Sequence, residues 1–201
     1  GIKDGYINKI GLTIPNLIID NAQSLFSVPI DSVDTFYSPR KFVGVSDSGF
    51  LSINKKLENI FEKDVSFDRM CHLLKRIDLS AEEGYADFGI NDKSLENQPI
   101  KTVSNLTMTI LQGIEYDFVK KRRRENFNFL NNILKEKNLL PILIDDDSIP
   151  MVYPFRSKSV ELKKKLLSEK IYCATYWPNV VEWADKDKNS NLLTNEIIAL
   201  P

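Results

Sequence analysis

Histidine is almost missing from this 201-residue chain: His72 stands alone, and cysteine occurs only as Cys71 and Cys173. A zinc centre of the Cys/His kinds takes about three or four protein ligands, so no metal site is expected from these residues. Two distant thiols do not mark a disulfide-built secreted scaffold either. A Ser-His-Asp or Cys-His mechanism would have to run through His72. That residue adjoins Cys71 in an apolar, helix-patterned stretch (Met70, Leu73, Leu74, Ile77), where adjacent positions project in different directions. Both are read as ordinary helix residues. No run approaches the ~20 apolar residues of a membrane-spanning helix. The amino terminus lacks the charged, apolar and small-residue regions of a signal peptide, so a cytoplasmic protein without membrane contact is expected. An excess of one charge is missing too. Lys+Arg 27 against Asp+Glu 28 leaves a net charge of -1, which gives no global reason to expect nucleic acid as a partner.

What is present is the composition of a globular protein, with 42% hydrophobic and 27% charged residues. The length suits one large or two small domains. The run Asn16-Leu17-Ile18-Ile19-Asp20 reads as a buried strand closed by an acid, and residues 33–37 and 49–53 read as two more strands. Apolar spacing turns helical over 67–79, Ser80 with Glu82 and Glu83 marks a helix start, and 91–101 reads as a polar connection. The longest periodic segment runs from about Ser104 to Lys137, as one long helix or two in tandem, with Gly113 as a kink point. Residues 140–144, 150–155 and 171–175 read as strands, separated by a helix over 157–168. This order predicts an α/β chain divided into 1–102, carrying part of a larger sheet, and 103–201, a connecting helix followed by a small α+β domain.

The chemistry falls in the first part. Asp20 leaves a strand, and Lys41 follows in the turn-rich Ser38-Pro39-Arg40-Lys41. An acid and a lysine from neighbouring sheet edges can face one cofactor. Pyridoxal phosphate uses such a pair: an amine to take its aldehyde, and a carboxylate against the pyridine nitrogen to keep the ring protonated and electron-accepting. Gln23 is placed to reach the ring's phenolic oxygen, and Ser38 to reach the phosphate. On spacing alone the pair also fits ordinary surface loops.

The segments Ile18-Ile19-Asp20-Asn21-Ala22-Gln23-Ser24 and Phe36-Tyr37-Ser38-Pro39-Arg40-Lys41-Phe42-Val43-Gly44-Val45-Ser46-Asp47-Ser48-Gly49-Phe50 resemble the fold-type-I pyridoxal-phosphate enzymes of the DegT/StrS aminotransferase family. Met151-Val152-Tyr153-Pro154-Phe155 and Tyr176-Trp177-Pro178-Asn179-Val180 resemble that family's small domain, so the likeness spans nearly the whole chain and covers the carboxyl-terminal half of such an enzyme. The resemblance implies that Asp20 pairs with the pyridinium, Gln23 contacts the phenolic oxygen, and Lys41 forms the internal aldimine and shuttles the proton. It implies transfer of an amino group from glutamate to a keto sugar carried on a nucleotide. The reaction is expected to need the amino-terminal half of the large domain, which supplies the phosphate loop and the stacking aromatic. A partial sheet exposes an edge and an apolar face, so a homodimer or higher oligomer is expected. The alternative is a non-catalytic binding or interaction module on the same fold.

Three residues of the second part are read on the substrate side. Arg156 suits a carboxylate by its fork, or is a surface residue at a strand end. Tyr153 accompanies it in the family-like segment. Trp177 lines a sugar pocket or simply packs. The basic run Lys120 to Arg124 is read as a solvated helix face, and Asp145-Asp146-Asp147 as a polar turn rather than a calcium ladder.

Overall fold

Burial alternates along the strands of the first sheet. In β1 (Ile18–Asn21) the side chains of Ile18 and Asp20 face outward, and in β2 (Asp34–Tyr37) Thr35 and Tyr37 are buried while Asp34 and Phe36 are not. The two strands pair in parallel, with Asp20 beside Phe36. β3 (Phe50–Ser52) adds antiparallel to β2, with Leu51 opposite Phe36, giving the order β1-β2-β3. Ile18, Phe36 and Leu51 therefore share one face, and they are 63%, 39% and 55% exposed. On the other face Tyr37 is buried, and its hydroxyl donates to the Ser27 carbonyl at 3.0 Å.

This computed structural model describes residues 14–201, which form two compact units, one ending at Tyr116 and the other spanning Asp117–Pro201. In the first, a 3-10 turn (Phe67–Arg69) leads into α1 (Cys71–Asp78), followed by α2 (Ala81–Ser94) and α3 (Asn105–Gln112). Local chemistry starts the last two. The Ser80 hydroxyl accepts from the Glu83 amide at 3.3 Å, and the Ser104 hydroxyl from the Thr107 amide at 3.0 Å. Gly84 brings α2 against α1: a Cβ there would stand 2.7 Å from the His72 carbonyl oxygen.

The helical stretch beyond Ser104 is two helices. α3 ends at Gly113, and α4 (Tyr116–Leu134) starts afresh. The division falls after Tyr116 rather than after residue 102, because α3 is tied into the first unit by Ser104 and Thr107, which hydrogen-bond to Ser66.

In the second unit, α4 is followed by β4 (Tyr153–Arg156), α5 (Val160–Ser168), α6 (Val180–Trp183), α7 (Asn189–Glu196) and β5 (Ile197–Leu200). β4 and β5 pair antiparallel. Phe127, Tyr153 and Phe155 form the core, covered by Leu130, Leu134, Ile142, Ile144, Leu162 and Leu200. Residues 140–144 and 171–175 are not strands. Pro141 withholds a backbone donor from the first of these, so Ile142 and Ile144 reach the core from extended chain. In the second, the Ile171 amide instead closes the end of α5 on the Leu166 carbonyl at 2.8 Å. The basic run on α4 is locally balanced by Lys120–Asp117 and Arg122–Glu125, and Arg123 and Arg124 donate to the carbonyls of Met151 and Asp145. Among the described residues no helix is long and apolar enough to cross a membrane.

Candidate functional site at the carboxyl edge of the sheet

Proline fixes the backbone where β2 ends. Ser38, preceding Pro39, is held extended (φ -120, ψ 93), and Pro39 opens a 3-10 turn, Pro39–Lys41, at the position where a missing N–H costs nothing. Pro39 is buried, while Lys41 at the end of the turn is exposed. The Lys41 ammonium has no ion-pair or hydrogen-bond partner among the described residues. The Ser38 hydroxyl makes no capping bond to the turn.

Asp20 lies near the carboxyl end of β1, exposed, with Oδ1 accepting from the Ala22 amide at 2.8 Å. This Asx-type turn bends the chain toward the exposed Gln23. Since β1 and β2 run parallel, Asp20, Gln23, Ser38 and Lys41 all follow or close strands at the same edge of the sheet. In open α/β sheets this edge, outside the carboxyl ends of parallel strands, is where ligands bind.

Beyond Lys41 the chain turns inward. Phe42, Val45, Ser46 and Asp47 are buried, and Phe42 meets Phe26 edge-on at 5.7 Å. Asp47 ends in a buried polar network. The Thr107 hydroxyl donates to its Oδ1 at 2.7 Å and the Ser46 hydroxyl to its Oδ2 at 3.2 Å. Since the Thr107 proton is committed to Asp47, the 3.2 Å contact between Ser66 and Thr107 has Ser66 donating, and Ser104 then donates to Ser66. Arg69 Nε lies 3.2 Å from Asp47 Oδ2 as an ion pair without hydrogen-bond alignment, while its Nη2 bonds Asp64. Burial pushes the Asp64 carboxyl up. The Arg69 bond, the Val65 amide and the charges of Arg69 and Lys101 outweigh it and hold the group below its usual range. Asp47, Asp64, Arg69 and Lys101 line a polar cleft of about 390 Å3.

α2 grips this loop at two points. The Asn91 amide donates to the Ser46 carbonyl at 2.9 Å, and Asp92 pairs with Arg40 at 2.7 Å. Neither residue was legible as part of the site, because both contacts close over long stretches of chain and no local motif announces them.

The substrate-side residues of the second unit are placed differently from one another. Tyr153 is a core residue, its ring 5.2 Å from Phe127 and its hydroxyl donating to Asn131 Oδ1 and accepting from Asn138 Nδ2, both at 3.3 Å. Arg156 is held by Glu196 at 2.7 Å, so its Nε is already committed. Trp177 is exposed, with a left-handed backbone at φ 55. Cys71 and His72 are separated by the helix turn, the thiol exposed and the ring buried against Phe88. No protein-family model, curated protein or solved structure matches this chain.

Proposed function

We propose that this chain carries the lysine-bearing part of a pyridoxal-phosphate-dependent aminotransferase, moving an amino group from glutamate to a keto sugar carried on a nucleotide. One observation carries the reading: a carboxylate, Asp20, and an amine with no partner among the described residues, Lys41, follow or close two adjacent parallel strands at the same edge of the sheet. The resemblance of the segments around them to sugar aminotransferases supports the substrate class. When bound, pyridoxal phosphate supplies an aldehyde that an amine takes up with loss of water, and a ring that accepts electrons from the substrate carbon.

The residues present fit that group. Lys41 holds the cofactor by its amine and, when freed, carries the proton between substrate and cofactor carbons. Asp20 holds the proton on the ring nitrogen. Gln23 has an amide for the phenolic oxygen, and Ser38 a hydroxyl for the phosphate that makes no capping bond to the turn. The exposed apolar row Ile18, Phe36 and Leu51 supports an associating protein, read here as a homodimer.

The test is incubation of the full-length protein with pyridoxal phosphate, glutamate and a nucleotide-linked keto sugar. Formation of 2-oxoglutarate and an amino sugar supports the reading. Cofactor binding without amino transfer favours a non-catalytic module instead.

A further inference from the structure

Lys41 has no side-chain partner among the described residues, so its placement comes from the backbone on either side of it. That backbone is fixed from one direction. Arg40, immediately before the lysine, pairs with Asp92, and Ser46, shortly after it, gives its carbonyl to Asn91. Two adjacent residues near the end of α2 thus bracket the lysine. The contacts are unequal. The Arg40–Asp92 pair is partly exposed and screened by water. Asn91 is 5% exposed, so cutting its bond leaves the Ser46 carbonyl buried and unsatisfied. Among the described residues the Asn91 Oδ1 is itself buried without a partner.

We infer that Asn91 is a positioning residue for Lys41, clamping the loop that presents the lysine at the sheet edge, with Asp92 in a minor supporting role. The inference rests on the reading of Lys41 as the cofactor lysine.

The experiment compares full-length wild type with Asn91→Leu, Asp92→Asn and a core control, Leu111→Ala, which removes a buried side chain from the same unit. Two readouts are taken: trace acetylation by acetic anhydride without cofactor, scored as Lys41 relative to Lys55, and the rate of borohydride-trapped attachment of pyridoxal phosphate to Lys41. Asn91→Leu is expected to change the acetylation ratio and to slow attachment about tenfold, since small misplacements of a reacting group carry large rate costs. Asp92→Asn should stay within about twofold, and Leu111→Ala should match wild type in both. Asn91→Leu behaving as wild type, or Leu111→Ala shifting equally, overturns the assignment. A wild type that takes no cofactor at Lys41 overturns the proposed function instead, and the acetylation ratio still decides whether Asn91 places the lysine.

Discussion

Asp20 on β1 lies beside Phe36 on β2 in the parallel ladder, so the carboxylate and the lysine that follows β2 reach the same edge of the sheet. Phe36 points to the exposed face with Asp20. The acid is a strand-end group with one backbone bond and no cation paired to it among the described residues, which leaves its charge for an incoming ring.

The substitution that isolates this charge is Asp20→Asn. It keeps an oxygen for the Ala22 amide and removes only the ionised carboxylate. Amino transfer should fall about 10²- to 10⁴-fold, the range of a misassigned proton in acid–base chemistry. Cofactor attachment at Lys41 should persist. Steady-state rates with trapped-adduct mass spectrometry check both halves.

Gly84→Ala should destabilise the first unit. Alanine gains up to ~1 kcal/mol in helix propensity, but its Cβ would stand 2.7 Å from the His72 carbonyl oxygen and 2.9 Å from Arg76 Cγ. The backbone oxygen cannot yield as a side chain can, so overpacking of about 1–3 kcal/mol wins. Urea unfolding reads the sign directly.

Ser48→Gly should do the reverse. Ser48 has φ 76, in the left-handed region, and its hydroxyl is buried without a partner among the described residues. Relief of about 1–2 kcal/mol of backbone strain and loss of an unsatisfied hydroxyl exceed the ~1 kcal/mol entropic cost of glycine. A raised urea midpoint is expected.

Acid should weaken the fold in two windows. Burial lowers the His72 pKa from its usual 6.5; the Arg69 backbone and Asp87 oppose this, while Arg76 and Arg40 add to it. The folded state therefore resists the proton that the unfolded chain accepts, and stability is lost as pH falls below about 6.5. Asp64, held below its usual range, contributes stability that is complete above about 3.9 and is lost as pH falls through its folded value. The slope of stability between pH 7 and 5 should flatten in His72→Leu, with the lower window unchanged.

The parts of this structure legible in the sequence are those set by neighbours in the chain. Ser80 and Ser104 announce helices through their own hydroxyls, the apolar run closed by Asp20 and the turn-flanked residues 33–37 announce strands, and Pro39 announces the turn. Long-range pairing was not legible. β5 shows only as the partner of β4, and residues 171–175, strand-like by composition, have no ladder to join. The division after Tyr116 depends on Thr107 reaching Asp47, a contact across much of the first unit. For the same reason Asp20 and Lys41 were visible and Asn91 was not. The first two sit at ends of strands, whereas the third acts only through the loop it meets in space. The burial of Tyr153 is likewise set by distant partners, Asn131 and Asn138, that its segment does not announce.

The most direct measurement is mass spectrometry of the full-length protein after incubation with pyridoxal phosphate and borohydride. The expected result is a single reduced cofactor mass on the peptide containing Lys41, lost together with the visible absorption in Lys41→Ala. Label on another lysine, or none at all, contradicts the account.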